Sequence, residues 1–218
     1  MSRIFLVSHG QASWGAADYD ALSDLGRRQG SATGSWLAGQ GIIPARVVSG
    51  SLVRQRDTAH SLVVAADWSV ETGEDQAWNE YDHLPVLAAV SADDPARAML
   101  ASDDRRTAAA GYFLALDRWI SGAGGYPEEF AAFTTRAVDA LTSLAASLAP
   151  KEDAVVVSSG GVISAIGAHL LDGGPGVWKR LAMTVANASV SQVRVGAHGI
   201  HLMSFNEASH LGELWSSR

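Results

Sequence analysis

Apolar positions along the chain fall into a few short unbroken runs separated by longer periodic stretches. Ile4-Phe5-Leu6-Val7 is the first run, closed at once by Ser8-His9-Gly10. Such a run, bounded by turn residues, predicts a buried strand ending in a sharp turn. Val47-Val48 and Ala154-Val155-Val156-Val157 repeat the pattern, closed by Ser49-Gly50-Ser51 and by Ser158-Ser159-Gly160-Gly161. Helical stretches follow each of them. Ser23 predicts an N-cap for a helix with Leu25, Trp36 and Leu37 on its apolar face, ending at Gly39 or Gly41. Leu52 to Ala66 and Val162 to Leu171 predict two more. Trp68 to Thr72 alternates as a third strand would. Val190 to Val195 and Ile200 to Phe205 predict an edge hairpin through Gly196 to Gly199.

Between Leu84 and Ala149 the pattern is mostly helical, with breaks expected near Gly111 and at Gly122 to Gly125. Phe130, Phe133, Val138, Leu141 and Leu144 keep helical spacing and are expected to be core contacts. The expected organisation is one domain over residues 1–218 with a helical insertion at about 84–149. Gly15 to Asp20 reads as a small polar loop, and Gly73 to His83 as a second loop carrying Trp78-Asn79-Glu80-Tyr81.

Strands alternating with helices imply an α/β fold. The expectation is a three-layer sandwich: a mostly parallel central sheet, helices on both faces and the insertion over the active-site end. Ligands of open α/β sheets bind outside the carboxyl ends of the strands. The polar joints at His9, Ser51 and Ser159 would converge there.

Composition narrows the chemistry. Hydrophobic residues make up 47% and charged residues 18%, so a sizeable core is expected and disorder is not. A net charge of −7 argues against a general nucleic-acid partner. The chain has no cysteine, which removes disulfides, thiolate catalysis and Cys-based zinc sites. No stretch approaches about eighteen apolar residues, so no membrane span is expected. No charged segment leads into a long apolar one, so no secretory signal is expected, and a cytoplasmic location follows by default. Neither nucleotide-loop glycine pattern is present.

The motifs resemble those of a known family. Leu6-Val7-Ser8-His9-Gly10-Gln11 resembles the Arg-His-Gly signature of the histidine phosphatase superfamily, the phosphoglycerate mutase-like group. Ser49-Gly50-Ser51-Leu52-Val53-Arg54-Gln55-Arg56-Asp57-Thr58-Ala59 resembles its second motif, with an arginine four positions before the Thr of Thr-Ala. Trp78-Asn79-Glu80-Tyr81 resembles the segment that holds its acid. Val156-Val157-Ser158-Ser159-Gly160-Gly161 resembles its Val-Ser-His-Gly-Gly motif, and Phe205-Asn206-Glu207 with His210-Leu211 its closing segment.

The resemblance implies a phosphatase without metal or other cofactor, acting on a small phosphorylated substrate. His9 would be the nucleophile that becomes phosphohistidine. Arg54 would grip phosphoryl oxygens through its forked donors, and Glu80 would be the general acid and base. Ser8, Gln11, Ser13, Ser159 and Gly160 would line the phosphate site, with Arg56 a lesser candidate. Tyr81, Tyr112, Phe113 and Trp119 would set substrate size.

Two positions depart from the family pattern. Ser8 stands where the family has its first arginine, and Ser159 where it has its second histidine. Losing one preorganised donor of this kind typically costs roughly 10²–10³ in rate. Weak or altered hydrolysis is therefore the first expectation. A phosphate-binding or interaction protein that keeps the fold is the alternative, and mutase-type phosphoryl transfer a further one. His83 and His210 are the candidate stand-ins for the missing histidine; His60, His169, His198 and His201 read as surface residues. The edge strand or the Ala-rich helices could pair two chains.

Overall fold

The structure is a computed structural model that describes residues 1–13, 20–122 and 124–217. Trp14 and all but the last residue of the Gly15–Asp20 loop expected from the sequence lie outside those residues. The described chain divides into two compact units, Met1–Glu80 with Ala137–Arg218, and Tyr81–Arg136.

The first unit is built on a six-stranded sheet of order β3-β2-β4-β1-β5-β6. Its strands are β1 (Ser2–Ser8), β2 (Arg46–Ser49), β3 (Thr72–Glu74), β4 (Asp153–Ser158), β5 (Val190–Gly196) and β6 (Gly199–Glu207). β1 pairs parallel with β4, with Ile4 opposite Ala154 and Ser8 opposite Ser158. β2 is parallel to both β3 and β4, while β5 and β6 run antiparallel. The two unbroken apolar runs thus became the central strands, buried on both faces, as parallel strands covered on both sides must be. The expected hairpin is β5–β6, with β6 at the sheet edge.

Phe5 and Val7 of β1, Val155 and Val157 of β4 and Val47 of β2 share one cluster with Leu37, Ala59 and Leu62. These last three lie on α1 (Asp24–Gly39) and α2 (Val53–Ala65). The intervening strand residues Ile4, Leu6, Ala154 and Val156 are equally buried, so the opposite face is covered too. There α7 (Gly160–Leu170) packs against β1 and β6. After β1 the chain crosses to β2 on one side, and after β4 it returns to β5 on the other. The carboxyl ends of β1 and β4 therefore flank a topological switch point, where such sheets open a crevice.

Ser23 caps α1 as expected, its hydroxyl accepting the Gly26 N–H at 3.0 Å. Gly41, at φ +74°, follows the helix end. The buried face of α1 differs from the expected one. It consists of Gly26, Gln29, Gly30, Thr33, Gly34 and Leu37, while Leu25 and Trp36 are only half-buried. A Cβ on Gly34 would lie 2.2 Å from the Leu62 carbonyl oxygen. The two helices approach so closely that only small residues fit between them.

Three other expectations are corrected. The third strand is Thr72–Glu74, not Trp68–Thr72. Trp68 and Val70 anchor the connection to the core instead, and the Trp68 indole donates to the Ile42 carbonyl at 3.0 Å. Helix α8 (Pro175–Ala182) was not expected, although Gly174-Pro175 is a helix-start signal. Its Trp178 is buried and donates to the Gly161 carbonyl at 2.9 Å.

The third correction lies in the second unit, which holds α3 (His83–Ala88), α4 (Pro95–Leu100), α5 (Arg105–Ile120) and the start of α6 (Phe130–Ser147). Gly111 lies inside α5 and does not break it. Its missing Cβ makes room for Met99 and the Leu100 amide, each of which a Cβ would meet at 2.8 Å. Tyr81, Trp119, Phe130 and Phe133 form an aromatic cluster, and the Tyr81 and Tyr112 hydroxyls are 2.9 Å apart. Among the described residues no helix is long and apolar enough to cross a membrane.

Candidate active site

His9 follows β1 directly and is held there by its own backbone. Its N–H donates to the Ser158 carbonyl at 2.9 Å, and its carbonyl accepts from Ala188 at 3.1 Å. The side chain is nearly buried, at 6% exposure. Nδ1 lies 2.7 Å from the Gly10 carbonyl oxygen. A carbonyl can only accept, so Nδ1 carries the proton and Nε2 keeps its lone pair. Arg54 Nε donates to that Nε2 at 3.2 Å.

The turn beyond His9 is possible because two backbones touch. A Cβ on Gly10 would lie 2.3 Å from the Gly26 carbonyl oxygen, and one on Gly26 would lie 2.2 Å from that of Gln11. The Gly10 N–H donates to Thr58 Oγ1 at 2.9 Å, and that hydroxyl donates to the Arg54 carbonyl at 2.7 Å. Thr58 thus ties the His9–Gly10 turn to the first turns of α2, where Arg54 stands.

Arg54 has a second partner that the motifs did not indicate. Its Nη1 pairs with Asp20 Oδ1 at 2.6 Å, and Asp20 Oδ2 accepts the Val53 N–H at 2.7 Å. Leu52, the N-cap of α2, offers no side-chain cap. Asp20 therefore serves as the capping carboxylate from a distant part of the chain, where a helix N-terminus favours negative charge. A seam 33 residues long in sequence leaves no periodic signal.

Glu80 is fixed on the other side of the switch point. Its Oε2 accepts the Gly161 N–H at 2.9 Å at the start of α7. A Cβ on residue 161 would lie 2.1 Å from Glu80 Oε1, so this approach requires glycine. Asn79, just before it, clamps the β2–α2 turn. Its Oδ1 accepts the Ser51 N–H at 2.7 Å, and its Nδ2 donates to Ser51 Oγ at 2.9 Å.

The remaining expected residues are distributed as follows. Ser8 and Ser159 are fully buried, and Gly160 at the start of α7 is buried. Ser159 Oγ accepts from Gln55 Nε2 at 2.9 Å. Gln11 turns toward the start of α1, where its Oε1 accepts from Ser23 Oγ at 3.0 Å, and the Ser13 N–H bonds the Ala21 carbonyl. Arg56 faces Glu74, 3.7 Å away. His60, His169, His198 and His201 are exposed. His210 stacks on Trp36 and sits 2.9 Å from Thr33 Oγ1, below α1. His83 heads α3 in the second unit. Among the described residues no group of three or more His, Cys, Asp or Glu side chains is placed to hold a metal ion.

The arrangement provides an imidazole nitrogen with its tautomer fixed, a guanidinium at that nitrogen and a carboxylate held by a backbone amide. A family model for the histidine phosphatase superfamily (branch 1) matches residues 4–208. No curated protein matches the sequence. Among solved structures the chain is similar to a variant of the phosphoserine phosphatase from Entamoeba histolytica in complex with phosphoserine. The TM-score is 0.69 at 19% identity, covering 97% of this chain and 100% of that one. A mycobacterial glucosyl-3-phosphoglycerate phosphatase matches with TM-score 0.64 at 24% identity, over 94% and 99% of the two chains. A protein named mycobacterial hydrolase 1 matches with TM-score 0.66 at 24% identity, over 94% and 98%. At these identities the likeness is one of fold.

Proposed function

The chain belongs to the histidine phosphatase superfamily, and from that premise we propose that it hydrolyses a small phosphorylated metabolite through a phosphohistidine on His9. The observation that carries this reading is the imidazole itself, with Nδ1 anchored on Gly10 and Nε2 facing Arg54. In the first step the Nε2 lone pair attacks phosphorus, the bond to the ester oxygen breaks, and Glu80 gives that oxygen a proton. In the second step Glu80 takes a proton from water, the oxygen attacks phosphorus, and the P–N bond breaks to restore His9. Arg54 moves its Nε–H from the lone pair to a phosphoryl oxygen as charge develops there.

Activity is expected to be weak. Ser8 and Ser159 are buried and bring no positive charge. The charge of Arg54 is shared with Asp20. The same deficit disfavours mutase-type transfer, which needs a firmly held phosphoenzyme to return its group to a second acceptor. The structural likeness to phosphatases that act on small phosphorylated compounds supports the substrate class.

The test is hydrolysis of an aryl phosphate across pH by the natural chain beside His9→Ala. Activity that disappears with His9 supports the reading. Equal background in both proteins overturns it and leaves phosphate binding without turnover, which a titration with inorganic phosphate then measures.

A further inference from the structure

Gln55 lies one residue after Arg54 in α2, is fully buried, and plays no part in the steps above. Its amide nitrogen has two hydrogens, and both are used. Nε2 donates to the Trp78 carbonyl at 3.1 Å and to Ser159 Oγ at 2.9 Å. Trp78 stands two residues before Glu80, and Ser159 two residues before Gly161, the residue whose amide holds the Glu80 carboxylate. The Gln55 amide therefore closes a ring. It runs from Gln55 through Trp78 and Asn79 to Glu80, across to Gly161, and back through Gly160 and Ser159.

The surroundings are shaped to this side chain. A Cβ on Gly50 would lie 2.0 Å from Gln55 Oε1 and 2.6 Å from Asn79 Oδ1. The glycine of the β2–α2 turn thus leaves space for both amides. Ser158 Oγ also donates to the Trp78 carbonyl, at 2.7 Å. The Trp78 segment would keep one donor if Gln55 were lost, but the amide bridge from the Trp78 carbonyl to Ser159 Oγ would be gone.

We propose that Gln55 is a positioning residue for Glu80: its amide locks the acid-bearing segment to the start of α7, and so sets where the Glu80 carboxyl meets the substrate oxygen. The proposal rests on the phosphatase reading. Its physical basis is that a buried donor satisfied twice is rigid, and that small misplacements of a proton donor lower rate steeply. Proton donation matters most when the leaving group is poor, so the ring should matter in proportion to leaving-group basicity.

The experiment compares the natural chain, Gln55→Met, Glu80→Gln and the Gln55→Met/Glu80→Gln double variant on a series of aryl and alkyl phosphates of rising leaving-group pKa. Gln55→Met is expected to lower kcat about tenfold on alkyl phosphates and to leave p-nitrophenyl phosphate within about twofold. In the Glu80→Gln background it should have no further effect, because the group it positions is gone.

Loss that is equal across all leaving groups overturns the proposal and makes Gln55 a packing residue. A second measurement does not depend on turnover. The Gly161 amide resonance should follow the Glu80 titration in the natural chain, and this response should shrink in Gln55→Met. An unchanged Gly161 response overturns the proposal whatever the rates. If the natural chain hydrolyses nothing, the phosphatase reading fails, and the Gly161 response alone decides whether Gln55 positions Glu80.

Discussion

Arg54 Nε and His9 Nε2 are 3.2 Å apart, so the guanidinium rests on the nitrogen lone pair that phosphoryl transfer would use. The contact joins residues 45 positions apart in sequence. In the proposed mechanism Arg54 lets go of His9 as phosphate arrives, and the same donor then meets a phosphoryl oxygen.

Arg54→Lys is therefore expected to behave poorly despite keeping a positive charge. Lysine offers a point charge without the fork that reaches His9 and Asp20 together. We expect kcat/KM on an aryl phosphate to fall roughly 10²-fold, as when one preorganised donor is lost, with little loss of thermal stability. Steady-state kinetics beside a melting curve checks both parts. Activity within twofold of the natural chain would remove Arg54 from the site.

Asp20 performs two tasks that a single substitution separates. Its carboxylate accepts the Val53 N–H at the start of α2 and pairs with Arg54 Nη1. In Asp20→Asn the amide oxygen still accepts from the helix, but the charge that competes with phosphate is gone. Inorganic phosphate should then inhibit or bind more tightly, by several-fold. Asp20→Ala should instead lose about 0.5–2 kcal/mol of stability, the usual cost of a lost cap. Calorimetric titration with phosphate and urea unfolding distinguish the two effects.

Much of this architecture was readable from the chain. The runs at Ile4–Val7 and Ala154–Val157 are long and apolar enough to mark central strands, and their closing Ser, His and Gly residues mark the strand ends. The Thr72–Glu74 strand was missed because it is short and exposed, with no apolar alternation to betray it. The face of α1 was misread because it packs through glycines, and glycine carries no hydrophobic signal. Asp20 and Gln55 escaped for another reason. Each works through partners dozens of residues away, and such contacts leave no local pattern. His9, Arg54 and Glu80 stood out only because each lies in a short motif with a recognisable neighbour set.

The Gln55–Ser159 contact changes what a restoration experiment should give. The motif resemblance sets Ser159 where the family has its second histidine, and on that expectation an obvious repair is Ser159→His. Yet Ser159 is fully buried with the Gln55 amide 2.9 Å away. An imidazole placed there overpacks the site, which typically costs about 1–3 kcal/mol. Ser159→His alone should lower stability and fail to raise activity. Trimming the neighbour in Gln55→Ala/Ser159→His should recover most of the lost stability. A double-mutant cycle measured by urea unfolding reads the coupling, and additive effects would show that the two side chains do not compete for space.

His210 gives the fold a dependence on pH that is separate from catalysis. Burial beneath α1 lowers its pKa from the ordinary 6.5, against smaller opposing effects from the Ala188 backbone and the Glu207 charge. Its Nδ1 has no hydrogen-bond partner, and its ring stacks on Trp36 at 4.7 Å. Because the folded chain takes up this proton less readily than the unfolded chain, acid favours unfolding. The contribution is fully present above the unfolded value near 6.5 and is lost as pH falls through the lower folded value. Urea midpoints should therefore fall between pH 7.5 and pH 5. His210→Gln, which cannot take up that proton, should show a shallower fall, although it starts less stable for want of the Trp36 stack. Parallel pH profiles for the two proteins would show that the acid sensitivity arises elsewhere, and that His210 takes up its proton as readily in the folded chain as in the unfolded one.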